Sequence, residues 1–135
     1  MTTVELPASM KADVLDVRLF APGQLVDLIK SVNTEHEGPA GTVWFLRHGS
    51  NPDTPGLTAG VRGDVGALDW FGETATEVPV DGRNSDDVDY FTPSGHHNAM
   101  PPGSELPVER VLEAVAEFVR TGVRPASIDW RPEDD

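Results

Sequence analysis

PPGSELPVERVLEAVAEFVRTGVRP, residues 101–125, carries the strongest local signals in this chain. Its apolar side chains repeat at intervals of three and four, which is typical of one helix face: Val108, Val111, Leu112, Val115, Phe118 and Val119. Pro107 suits the first turn, where its missing N–H needs no partner, with Ser104 or the backbone around it as the cap. Gly122 follows the last apolar position and suits a left-handed C-cap. We therefore predict an amphipathic helix ending at Gly122, followed by a strand over residues 126–130.

The opposite face of this helix is acidic. Glu109, Glu113 and Glu117 lie four residues apart, and like charges at that spacing cost an isolated helix about 0.2–0.5 kcal/mol per pair. This stripe is either a solvated face or a face that contacts a partner.

The remaining patterns predict the fold class. Strand patterns precede the helix at residues 14–20, 42–46, 57–61, 66–71 and 88–91. An earlier helix is indicated by the spacing of Leu25, Leu28, Ile29 and Val32, and Arg62-Gly63-Asp64 reads as the turn of a β-hairpin. This order predicts an α+β fold: a mostly antiparallel sheet of about five to six strands, with two helices packed on one face. We expect a single domain over residues 1–135.

Acidic residues dominate the charge. The chain has 23 Asp and Glu against 10 Lys and Arg, a net charge of −13. Residues 64–89 hold eight acidic residues against Arg83 alone. Since binding to a nucleic acid backbone or to an anionic membrane requires a basic patch, we expect neither partner. The acidic segment is either a solvated loop or a surface that steers a basic protein partner.

Composition also limits the chemistry and the location. There is no cysteine, so disulfides, thiolate nucleophiles and Cys-based zinc sites are excluded. The N-terminus does not resemble a signal peptide, and no run of 18 apolar residues occurs. We expect a soluble cytoplasmic protein that needs no cofactor.

Residues 88–130 resemble the first immunity-protein family of bacterial polymorphic toxin systems. The likeness lies in PPGSELPVE, the helix, EFVRTGVRP and a terminal strand with Trp130. It implies direct binding and neutralisation of a cognate toxin, usually a nucleic-acid deaminase encoded beside the immunity gene. Val123 departs from the family pattern, where a second glycine is common. The matching residues look like turn and core positions: Gly95, Pro101, Pro102, Gly103, Pro107, Phe118, Thr121, Gly122, Arg124, Pro125 and Trp130.

The residues that contact a toxin must be sought through charge and exposure. Interface hot spots combine aromatic anchors with a polar rim, and the acidic segment offers both. We therefore predict a partner-binding set of Asp69, Trp70, Glu73, Asp86, Asp87, Asp89 and Tyr90. For Trp70, a place in the core is an equally good interpretation.

An enzymatic alternative rests on Arg47-His48-Gly49, which follows a predicted strand. This motif looks like the signature of the histidine phosphatases, in which the histidine is phosphorylated and the arginine binds the phosphoryl group. That chemistry requires a second histidine, for which His96 is available, and a further arginine at the same phosphate, for which Arg62 or Arg83 is available. The expected fold would contain more than two helices, and a strongly acidic protein is a poor host for phosphate esters. We predict no catalytic residues.

A metal site is the last candidate. His96 and His97 are adjacent, and adjacent side chains of a strand point to opposite faces, so they rarely bind one ion together. We interpret the pair as part of a turn and predict no metal.

Overall fold

The computed structural model describes residues 12–35, 38–49, 51 and 54–133. Its helices are α1 (Pro22–Glu35) and α2 (Val108–Thr121). Its strands are β1 (Val14–Asp16), β2 (Gly41–Arg47), β3 (Gly56–Arg62), β4 (Val65–Phe71), β5 (Thr76–Pro79), β6 (Tyr90–Phe91), β7 (Glu105–Pro107) and β8 (Trp130–Pro132).

All eight strands belong to one mixed sheet. Six of them run in the order β1-β2-β3-β4-β5-β8, while β6 pairs with β2 and β7 pairs with β4. The pairings of β2 with β1 and with β6 are parallel, and the others are antiparallel. The predicted α+β class is therefore confirmed. The strand count was too low because β5 and β7 are short and lack a clear apolar alternation.

The predicted hairpin is the centre of this sheet. β3 and β4 pair along their whole length, from Gly56 opposite Phe71 to Arg62 opposite Val65. Gly63, with φ of 71°, begins the turn, a backbone conformation that glycine adopts without steric cost.

The second helix ends where the sequence predicts. Gly122 is left-handed, with φ of 73°, and its N–H donates to the Phe118 carbonyl at 2.7 Å. The predicted start was wrong: Pro107 precedes the helix and belongs to β7, while the Ser104 hydroxyl donates to the Pro101 carbonyl. Residues 105–107, which we expected to lie at the start of the helix, instead form β7 and pair with β4.

Three predicted strands are shorter than expected or displaced. The strand at 14–20 stops at Asp16, because a 3-10 turn follows over Val17–Leu19. The strand at 88–91 is reduced to Tyr90–Phe91. The strand predicted at 126–130 begins only at Trp130, since the Ala126 and Ser127 N–H groups donate to the Glu117 carboxylate. Glu117 therefore holds a turn, whereas Glu109 and Glu113 are exposed.

Both helices pack on one face of the sheet, as predicted, and bury the main core there. Trp44, Leu46, Leu57, Leu68 and Trp70 project from β2–β4 towards the apolar sides of α1 and α2. The Trp70 and Phe118 rings meet edge to face, with centroids 5.6 Å apart. In the part of the chain that the structure describes, the other face of the sheet carries no helix. Among the described residues, neither helix combines the length and apolarity that a membrane span requires.

Candidate partner-binding surface

A hairpin-like segment, residues 84–104, crosses the helix-free face of the sheet; we call it the arm. Its two halves exchange backbone hydrogen bonds between Val88 and Met100, and the Asn98 N–H donates to the Tyr90 carbonyl at 2.8 Å. At its tip, Ser94 donates through both its N–H and its hydroxyl to the Asp13 carboxylate. The arm is therefore fixed at its tip as well as along its length.

Tyr90 attaches the middle of the arm to the sheet. Its ring lies over Gly41 and Gly60, where any Cβ atom would collide with it. With Met100 it forms a small core against Val43 and Ala67. The absence of side chains at these two glycines, on neighbouring strands, therefore leaves the space in which the Tyr90 ring packs.

A buried polar network lies beneath the arm. Arg62 binds both carboxylate oxygens of Glu105 at 3.0 Å, and the Tyr90 hydroxyl donates to the same carboxylate at 2.8 Å. Burial, together with the hydrogen bond to Glu105, raises the pKa of Tyr90. The arm side chain of Asn84 accepts the Glu105 N–H and donates to the Pro101 carbonyl. Among the described residues, no buried side-chain nitrogen or oxygen atom lacks a hydrogen-bond partner, and these bonds fix the base of the arm.

The outer surface of the arm is acidic, with one aromatic ring. Asp86, Asp87 and Asp89 are exposed, and neither Asp86 nor Asp87 forms an ion pair with another described residue. Asp89 contacts the His97 ring at 2.8 Å, and that ring packs against Phe91, which is 39% exposed. This surface combines an acidic rim with the exposed ring of Phe91, which was not among the predicted partner-binding residues.

Beside the arm, the helix-free face opens into a cleft of about 290 Å³. Two rows of side chains form its floor. Phe45, Thr58 and Asp69 are directly opposite one another on β2, β3 and β4, and Arg47, Gly56, Phe71 and Thr76 form the next row. The rim is formed by Asn98, Ala99 and Pro101 of the arm and by Glu133.

Asp69 is the electrostatic centre of the cleft. Burial is the main cause that raises its pKa, to about 6, and the nearby Glu133 carboxylate adds to this shift. The hydrogen bond from Thr58 and the Arg47 guanidinium both act in the opposite direction. Arg47 extends across Gly56, whose missing side chain leaves the space, and lies 5.4 Å from the centre of the Phe71 ring. The cleft therefore holds two carboxyl groups and one guanidinium.

The structure places the seven predicted partner-binding residues in four different environments. Asp69 lines the cleft, Asp86, Asp87 and Asp89 lie on or beside the outer arm surface, and Glu73 is exposed in the loop after β4. Trp70 and Tyr90 are not exposed anchors: Trp70 is 8% exposed within the helix-covered core, and Tyr90 is fully buried under the arm. The exposed aromatic rings nearest in sequence are Phe71 and Phe91. Strand alternation could have indicated Phe71, because it points opposite to Trp70.

In the Arg47-His48-Gly49 motif, the side chains of Arg47 and His48 point away from each other. The Arg47 side chain lies in the cleft on the helix-free face, whereas the His48 ring packs against Gly122 at the end of α2. A phosphatase centre requires both side chains at one phosphate, so this geometry does not support the enzymatic alternative.

The histidine pair also has separate contacts. His97 faces Asp89 and Phe91, while the His96 N–H donates to the Thr92 hydroxyl in the turn of the arm. Across the described part of the chain, no three His, Cys, Asp or Glu side chains are grouped in a way that could hold a metal ion.

Comparison with known proteins supplies the family. The model of the family described as immunity protein Imm1 matches residues 16–132, which include both helices, all strands from β2 to β8, the arm and most of the cleft. Among curated proteins, none matches the chain. Membership of this family supports an immunity function, implies a cognate toxin as the partner and suggests a role other than catalysis. From the match over most of its length, we conclude that the chain belongs to the Imm1 family of immunity proteins.

Proposed function

We propose that this protein neutralises a nucleic-acid deaminase toxin by placing its acidic arm surface over the basic active cleft of the toxin. The observation that carries this proposal is the exposure of Asp86, Asp87 and Asp89 on one segment beside Phe91. An ordered acidic surface with an aromatic ring is suited to a basic groove, because complementary charge raises the association rate and excludes wrong partners.

The physical argument for the toxin class concerns its substrate. An enzyme that acts on a nucleic acid binds a polyanion, and basic residues provide much of that affinity. A deaminase also takes its target base into a pocket beside the bound strand. A protein with a net charge of −13 competes for such a groove. The interaction would take place in the cytoplasm, where the producing cell must protect its own nucleic acid.

A pair of charge-reversal variants tests the arm surface. Asp86→Lys/Asp87→Lys changes the arm, and Glu109→Lys/Glu113→Lys makes the same change of four charge units on the exposed face of α2. We expect the arm variant to lose protection of cells that express the toxin encoded beside its gene, and its association rate to fall about tenfold or more. The helix variant should still protect, because its reversed charges lie on the other side of the sheet.

Thermal melts of both variants accompany the protection assay, since exposed substitutions should cost little stability. His48→Ala should keep full protection. If the arm variant protects as well as the helix variant does, the arm is not the toxin-binding surface.

A further inference from the structure

We propose that the cleft beside the arm receives one arginine side chain of the toxin, held between Asp69 and Glu133. This inference rests on the proposed function and adds to it a second contact, with a defined chemistry. Arm and cleft share the helix-free face, and Asn98, Ala99 and Pro101 belong to both. A partner seated on the arm would therefore also cover the cleft.

The charges in the cleft favour a cation. Asp69 and Glu133 face a single opposite charge, the guanidinium of Arg47, so the cleft has one more negative than positive charge. The Arg47 guanidinium lies over the Phe71 ring. Among the described residues, no cationic side chain forms an ion pair with Glu133. An incoming anion would meet two carboxylates, and an apolar group would displace water from the Asp69 carboxylate without supplying a hydrogen-bond donor in its place.

The shape of the cleft favours arginine over a larger group. A volume of about 290 Å³ corresponds to roughly ten water molecules, which suits one long side chain rather than a loop. Guanidinium groups are planar, donate to two acceptors at once and stack on aromatic rings. The cleft offers the carboxylates for the donors and the ring of Phe45 for stacking.

The floor of the cleft is already organised for such a contact. Thr58 is buried and hydrogen-bonded to Asp69, and both belong to the central hairpin of the sheet. The carboxylate therefore does not have to be ordered when the partner binds, which limits the entropic cost of association.

The first experiment compares Asp69→Asn with Glu113→Gln. Both remove one negative charge, but Glu113 lies on the exposed side of α2, away from the cleft. With an inactive form of the toxin domain encoded beside the gene, we expect the Kd of Asp69→Asn to rise about tenfold or more, mainly through faster dissociation. The Kd of Glu113→Gln should stay within about twofold of the wild type. Glu133→Gln, at the rim, should weaken binding in the same direction but less.

Dependence on pH separates a direct contact from a structural role. The charged groups that face Asp69 are Arg47 and Glu133. Because the pKa of Asp69 is about 6, most of its charge is lost as the pH falls from 7.5 to 5.5. Wild-type affinity should therefore fall across this interval more steeply than that of Asp69→Asn. Parallel curves for the two proteins would overturn the proposed contact.

A small probe tests the cleft without the toxin. In an NMR titration, N-acetyl-L-arginine methylamide should shift the amide signals of residues 45, 47, 58 and 69, and the uncharged citrulline analogue should not. Shifts with both probes or with neither would contradict an arginine site. If Asp69→Asn binds the toxin as tightly as the wild type does, while the arm variant still loses protection, the cleft contact alone is refuted. If the arginine probe shifts the signals of the cleft residues but the protein does not bind the toxin, the proposed function alone is refuted.

Discussion

The two faces of the sheet are covered by different means. On one face, two helices bury an apolar layer that includes Trp44, Leu68, Trp70 and Phe118. On the other face, the arm is held by the Arg62–Glu105–Tyr90 network and by Ser94 on Asp13, and it leaves the cleft open. Hydrophobic burial is the larger source of stability, so the helix-covered face maintains the fold. The arm-covered face can then present charge to a partner.

The largest expected effect comes from the helix-covered face. Phe118→Ala removes a fully buried ring that packs against Trp70, and it should lower the free energy of unfolding by about 3–5 kcal/mol. Phe91→Ala, on the outer arm surface, is the control and should cost less than about 1 kcal/mol. Urea unfolding of both variants measures this contrast. Equal losses would show that the two faces contribute alike.

The arm-covered face should be most sensitive at the Arg62–Glu105 ion pair, whose carboxylate is buried. Arg62→Met leaves the Glu105 carboxylate buried with only the Tyr90 hydroxyl as a side-chain donor among the described residues. Because Arg62 is partly exposed, we expect a loss of about 2–3 kcal/mol. Arg124→Met breaks the more exposed pair with Glu77 and should cost less than about 1 kcal/mol. If Arg62→Met and Arg124→Met lower the free energy of unfolding by the same amount, the network does not hold the arm.

Asp69 should lower stability at neutral pH, since its native carboxylate is poorly solvated. Its native pKa of about 6 lies above the ordinary value of 3.8, so the folded state binds the proton more tightly than the unfolded state does. Its contribution to stability is thus fully present below about pH 4 and is lost as the pH rises through 6.

Asp69→Asn removes this titration while keeping a side chain of similar shape. The stability of the variant relative to wild type should increase by about 2 kcal/mol between pH 4 and pH 7. Urea unfolding of the two proteins across this range tests it. A constant difference would mean that Asp69 is well solvated and that the cleft is not a desolvated site.

The smallest expected effect concerns the end of α2. Gly122→Val places a β-branched residue at φ of 73° and against the His48 ring, which should cost about 1–2 kcal/mol. Combining it with His48→Ala should recover the part that comes from the ring contact and leave the backbone strain. An unchanged melting temperature in Gly122→Val would show that the helix ends elsewhere.

Local patterns predicted the helix-covered face better than the arm-covered face. The spacing of Val111, Val115 and Phe118, the position of Gly122 and the β3–β4 hairpin each depend on neighbours within a few residues. They could be read without knowledge of the fold.

The arm-covered face depends on distant partners. Tyr90 is buried because Gly41 and Gly60, on two other strands, leave space for its ring. Glu105 meets Arg62 across 43 residues of sequence. No local pattern contains these pairings, so the sequence could not show that Trp70 and Tyr90 are buried or that Asp69 lines a cleft.

The central claim is that the acidic arm-covered face meets a basic toxin. Its most direct test is the association rate of the wild-type protein with the cognate toxin domain at about 50 mM and about 500 mM salt, measured by stopped flow. Because salt screens charges across the encounter distance, the account predicts a fall of about tenfold or more. A rate that does not change with salt would contradict it, and the acidity would then serve solubility alone.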